Sequence, residues 1–166
     1  MTFAIKPNYR QFLADNMNLV MMSIVLCVLI LIKDWILPEM DRMLKNYIGF
    51  FAALVLVGMC FTILGKYIIL TNLSYIINDE TVCRKSGVIA TQTSFVELYR
   101  VTDYGVSQSF LQRICKVKTI SIVSTDRSDP IMSIIGVPEN LDLIYIIRNK
   151  VEKCRKEKQI YEIANN

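Results

Sequence analysis

The chain's reactive inventory is narrow: it has five cysteines, Cys27, Cys60, Cys83, Cys115 and Cys154, and no histidine. Without imidazole it lacks the commonest general base and the commonest metal ligand. Neither a Ser-His-Asp nor a Cys-His arrangement can be built within it. No two cysteines form a CxxC pair and two lie in apolar segments. That spacing fits neither a zinc site nor a disulfide framework, and it suits a reducing compartment. Ser86 beside Lys85 is the nearest approach to a Ser-Lys dyad, but neighbours on a strand point to opposite faces. Asp126 and Asp129 flank a turn and could hold a cation weakly, although aspartates in turns more often accept backbone hydrogen bonds. There is no GxGxxG and no P-loop pattern. Tyr99 and Tyr104 are too few for a base-stacking surface. The expectation is a chain with no catalytic residue, cofactor or metal, and no nucleic-acid partner.

The elements that would carry any site divide sharply by composition. Of the 166 residues 53% are hydrophobic, and the excess lies almost entirely before residue 71. Mean hydropathy is +0.38. Met17 to Leu37 is nearly continuously apolar and reaches about 20 residues, enough for a hydrocarbon core. Lys33 and Trp35 suit its interfacial end, and Pro38 stops it. A second span, residues 47–70, has no charge until Lys66, with Tyr47 and Tyr67 at its interfaces. The loop 38–46 is short, so an antiparallel hairpin is expected, with both chain ends on one side. Lys6, Arg10, Lys66, Arg84 and Lys85 at the ends outnumber Lys33, Arg42 and Lys45 at the loop, which places both termini in the cytoplasm. A signal peptide is the competing reading of the first span, but its apolar run is long and no A-x-A-like site follows. Small residues recur at helical spacing (Ser23 with Cys27, Gly49 with Ala53, Gly58 with Thr62 and Gly65), which fits hairpin packing or an association face.

Beyond Leu70 the period changes. "SYIIND", "TVCRKSGVIA", "TSFVELYRV", "KVKTISIVST" and "IMSIIGV" read as short strands, with Gly87 marking a bulge or tight bend. From Pro138 and Glu139 an amphipathic helix is expected over about 139–158, its stripe formed by Ile144, Ile147, Val151 and Cys154. About 95 residues bury one modest core. Val82, Val96, Leu98, Ile120, Ile122, Ile134, Ile144 and Ile147 are its candidates. The domain is expected over 71–160, preceded by an N-terminal segment 1–16 and followed by a tail 161–166.

Three stretches carry a resemblance: "YIINDETVCRKSGVI", "VELYRVTDYGVSQSFLQRICKVKTISIVSTD" and "IIGVPENLDLIYIIRNKVE". Together with two preceding spans they resemble the bacterial pleckstrin-homology-like family of membrane-flanked domains, over about residues 70–155. Cys115-Lys116-Val117 departs from the leucine- and glycine-rich turn usual there. The resemblance implies a membrane α-hairpin plus a mainly-β PH-like domain. Its β part would be a seven-stranded, bent antiparallel sandwich or partly open barrel, closed by one C-terminal helix. It implies no catalytic activity and a tendency towards envelope-associated oligomers. The expected function is a non-enzymatic assembly module at the cytoplasmic face of a bacterial inner membrane. Its partners would be lipids, itself or an envelope protein. The alternative is an anionic-lipid or ligand sensor; an enzyme with an unrecognised site is the remote one. Phe110, Leu111, Gln112 and Arg113 are candidate partner contacts, with Phe110 and Leu111 either exposed or packed inward as a lid. Arg84, Lys85, Arg100, Lys116 and Lys118 are candidate lipid-facing basic residues, or simply a solvated surface. The acidic Asn78-Asp79-Glu80 turn argues against carrying over phosphoinositide binding.

Overall fold

A computed structural model describes residues 2–36, 38–127 and 129–158; the expected tail 161–166 lies outside the described residues. The chain forms two compact units. One joins the residues up to Ala14 to those from Ile69 on, and the other is Asp15–Ile68.

Helices α1 (Tyr9–Ile36) and α2 (Arg42–Thr71) supply the second unit. Asn8 caps α1, its Oδ1 accepting from the Arg10 N–H at 3.0 Å. Both helices are long and apolar enough to cross a membrane, and almost none of their apolar residues is buried. They are therefore not core helices of a soluble domain. Both run past the apolar spans 17–37 and 47–70, because flanking Arg10, Gln11, Arg42 and Lys45 are ordinary helix formers. Of the small residues, Gly49 is buried beneath Lys33, whereas Gly58 and Gly65 face open space.

The first unit holds two antiparallel sheets that do not close into a barrel. Sheet A has the order β1-β2-β3-β4 and sheet B the order β5-β6-β7. Their strands are β1 (Phe3–Ile5), β2 (Ser74–Ile77), β3 (Thr81–Ser86), β4 (Gln92–Glu97), β5 (Val101–Ser107), β6 (Val117–Ser124) and β7 (Ile131–Pro138). A short helix α3 (Phe110–Ile114) joins β5 to β6, and α4 (Leu143–Glu157) follows β7. This is a PH-like arrangement: an open sandwich with one C-terminal helix.

Five of the seven strands, β2, β3, β4, β6 and β7, lie in the stretches read as strands; β5 starts at Val101, where the stretch that holds β4 ends. The seventh, β1, lies before the first apolar helix, in the segment expected to stand apart from the domain. It pairs with β2 in the register Phe3↔Ile77, Ala4↔Ile76, Ile5↔Tyr75. Three residues carry no readable alternation, and the pairing spans both long helices. The start of α4 is a second correction. Pro138 is the last residue of β7, paired with Val117, and Asp142 is the cap, accepting from the Tyr145 N–H at 3.2 Å. Proline is tolerated at a strand end, where its missing N–H is not needed. The buried stripe accordingly runs Leu143, Ile147, Val151, Cys154, with Ile144 half-buried at its margin.

All the other core candidates are fully buried, joined by Tyr75, Ile77, Val101, Met132 and Val137. Each buried aliphatic side chain contributes about 1.5–3 kcal/mol. Tyr75 joins the two sheets: its hydroxyl accepts from the Ile135 N–H at 3.3 Å. Burial raises its pKa, opposed by that hydrogen bond and by Arg84. The Ile135 N–H is free to do this because β7 bulges there. Between Lys118↔Val137 and Ile120↔Ile134, β7 carries one residue more than β6. Gly136 sits in the bulge at φ +69, and the Asn8 N–H donates to its carbonyl at 3.0 Å. At the far end of sheet A, Asp79 bonds Lys150 of α4, which holds its carboxyl down to about 2.

A Cβ on Gly136 would stand 3.0 Å from the Cβ atoms of Pro7 and Gln11 and 3.1 Å from the Asn8 nitrogen. Gly136→Ala therefore strains the left-handed backbone and displaces the N-terminal segment together, and is expected to cost about 1–3 kcal/mol. Denaturant unfolding of the full chain in detergent, with proteolysis at residues 3–8, checks this. Unchanged stability and cleavage would show that the segment does not dock there.

Candidate functional site

The segment between β5 and β6 is built by local hydrogen bonding. Ser109 and Gln112 form a reciprocal capping box: the Gln112 N–H donates to Ser109 Oγ at 3.2 Å, and the Ser109 N–H donates to Gln112 Oε1 at 2.9 Å. Upstream, Gln108 Nε2 donates to the Val117 carbonyl at 3.0 Å, which ties the two ends of the connection together. The helix ends with Cys115 N–H on the Leu111 carbonyl at 3.0 Å, and then Lys116 at φ 55. Lys116 thus takes the left-handed conformation that glycine most often supplies after a helix.

The inward residue of α3 is neither Phe110 nor Leu111 but Gln112, only 8% exposed. Its Nε2 donates to Gln11 Oε1 and to Thr119 Oγ1, both at 3.0 Å. Every polar atom of the amide is thereby satisfied. Phe110 is 76% exposed and Ile114 58%, one helical turn apart, while Leu111 is half-buried and Arg113 exposed. The lid expectation therefore fails for Phe110, because the hydrogen-bonding demand of a glutamine amide sets the rotation of the helix. Ile114 extends the exposed apolar pair; its i+4 spacing from Phe110 could have found it.

The five basic residues do not form one patch. Arg84 lies 3.9 Å from Asp129; Arg100 lies 2.9 Å from Glu97 and 3.8 Å from Asp126. Tyr99 Oη accepts from Arg100 Nε, the main cause of the raised pKa of Arg100. Lys85 is exposed on β3. Lys118 Nζ donates to the Glu139 carbonyl at 3.1 Å. Lys116 lines an open groove with Asn8, Arg10, Pro138, Glu139 and Asn140. Among the described residues no three His, Cys, Asp or Glu side chains gather to hold a metal ion.

Residues 17–157 match the family model described as Bacterial PH domain. The chain belongs to the bacterial PH domain family. No curated protein and no solved structure matches it. The match takes in both apolar helices and ends at the last residue of α4. It begins after β1 and Gln11, so the segment that completes sheet A and pairs with Gln112 precedes the matched part of this bacterial PH domain.

Replacing Gln112 by leucine leaves Gln11 Oε1 and the Ser109 N–H without these partners, at an expected cost of about 1–3 kcal/mol. Gln11→Leu should add little in that background. A double-mutant cycle by denaturant unfolding in detergent checks the coupling; strict additivity would show the two amides to be energetically independent.

Proposed function

We propose that this chain is a non-enzymatic, membrane-anchored interaction module of a bacterial inner membrane. In this reading α1 and α2 cross the bilayer, both termini and the PH-like domain lie in the cytoplasm, and the domain assembles with itself or with an envelope protein. The observation that carries it is the exposed pair Phe110 and Ile114, presented on a short helix that its capping box and the buried Gln112 amide hold in place. A rigid, exposed aromatic beside a second apolar residue is the kind of anchor that partner surfaces bury. The excess of Lys and Arg at the chain ends over the connecting loop supports the orientation.

The lipid-sensing alternative draws on a specific feature as well: Arg10 and Lys116 line one groove. It is weakened where Arg84 and Arg100 already face carboxylates. Lys150, beside the β2–β3 turn, is likewise paired, with Asp79.

Two measurements test the main reading. Native mass spectrometry of the full chain in detergent should show a complex that Phe110→Ser with Ile114→Ser dissociates while the fold is retained. A strictly monomeric wild type that captures no envelope protein, or an unaltered complex in the variant, would refute it. Met43→Cys, in a chain with its native cysteines replaced, should react with an impermeant maleimide from outside intact cells. Reaction only after lysis would reverse the orientation.

A further inference from the structure

The two ends of sheet A differ in chemistry. At one end, β2 turns into β3 through Asn78, Asp79 and Glu80, a polar turn of the usual kind. At the other, β3 turns into β4 through residues 87–91, Gly-Val-Ile-Ala-Thr, which contains no Asn, Asp or Pro. Val88 is half exposed there and Ile89 wholly exposed. Single exposed aliphatic residues are ordinary, but two adjacent ones at a hairpin tip stand against the composition such turns favour. The tip has a defined shape: Gly87 sits at φ +122, and a Cβ on it would fall 1.9 Å from the Ala90 carbonyl oxygen. The turn closes on its own backbone and leaves both apolar side chains outside.

The register shows which end this is. Ile5, the last residue of β1, lies opposite Tyr75, and Ser74, the first of β2, lies opposite Lys85, itself opposite Thr93. The chain leaves β1 for α1 and returns from α2 into β2 at this same end. From Thr71, where α2 ends, to Ser74 the chain spans at most about 10 Å. From Ser86 to Ile89 the hairpin reaches at most about 10 Å beyond the last paired rung. No Asp or Glu occurs from Thr81 to Val96, whereas Arg84 and Lys85 do. An apolar tip behind a basic step, on the end of the sheet joined to two apolar helices, has the chemistry of the interface between headgroups and acyl chains.

We propose that the β3–β4 turn is a lipid contact. Val88 and Ile89 insert at the boundary between headgroups and acyl chains of the same bilayer that α1 and α2 cross, with Lys85 at anionic headgroups. The inference rests on the helices crossing that bilayer.

The chain has one tryptophan, Trp35, so fluorescence can report single positions. In Trp35→Phe, three variants carry the probe: Ile89→Trp at the tip, Glu80→Trp at the opposite turn, and Leu54→Trp within α2. Each full-length protein is reconstituted into vesicles of phosphatidylethanolamine and phosphatidylglycerol, with and without brominated acyl chains. The expected result is blue-shifted emission and bromine quenching at positions 54 and 89, and neither at 80. Quenching at 54 with position 89 as unquenched as 80 overturns the lipid contact and leaves the membrane reading standing. No quenching at 54 overturns both. A photo-crosslinker at 89 that captures protein and not phospholipid assigns the tip to a protein partner and overturns the inference as well.

Discussion

The buried amide of Gln112 is the constraint on which the arrangement of this domain depends. An unpaired amide in such a place would cost several kcal/mol, so its partners fix where it can sit. Those partners are Ser109 at the start of α3, Thr119 on β6, and Gln11, which lies 101 positions away in sequence. Three stretches of chain meet at one side chain. The rotation of α3 follows, and with it the outward direction of Phe110 and Ile114. A leucine at 112 would satisfy hydrophobic packing but would specify none of this, because apolar contacts are not directional.

The same contact makes the segment before the first long helix part of the domain. Pro7, Asn8 and Gln11 lie against Gly136, β1 adds the outer strand to sheet A, and Ile5 joins the core. The cost of closing a loop grows only slowly with its length. Two whole helices can therefore stand between β1 and β2 without forbidding the pairing. There is a consequence for folding order: β1 emerges first and cannot find its partner until both helices have been made. It is therefore β1 that waits, and sheet A can assemble as soon as β2 follows the second helix. Tyr75 then ties β2 to β7 through the Ile135 N–H.

Much of this was legible in the sequence where the signal is local. The stretches read as strands hold β2, β3, β4, β6 and β7, and the Ser-x-x-Gln spacing at Ser109 is a local signal of the helical turn that follows. What escaped was non-local or was set by the hydrogen bonds of single atoms. The strand Phe3–Ile5 is recognisable only once Ser74–Ile77 stands beside it. Pro138 suited a helix start as well as a strand end, and the Asp142 cap decided between them. Tyr75 read as a strand residue, yet nothing in its neighbours revealed that a bulge 60 positions away would supply the N–H it accepts from. Phe110 and Leu111 drew attention as the apolar members of their segment, but the buried member was the polar one. Hydrophobicity ranks side chains by transfer cost and cannot say which amide will find three partners.

The distribution of charge then narrows what the domain can use for recognition. Arg84, Arg100, Lys150, Arg148 and Lys153 each face a carboxylate. Exposed pairs of this kind add little to stability, but they cancel much of the field that a net charge of +4 would otherwise project. A phosphate-rich ligand would meet a surface largely spoken for. Two of the exposed apolar places are held by local hydrogen bonds or a closed turn, the outer face of α3 and the tip between β3 and β4. Rigidity matters because ordering a loose segment on contact offsets much of what its burial contributes. Here the capping box, the Gln112 amide and the closed turn at Gly87 have already done the ordering. In the membrane-anchored reading, a domain tethered by its own chain does not need long-range attraction to find its target. Short-range, pre-ordered apolar contacts then suffice, and the outer face of α3 and the β3–β4 tip offer them.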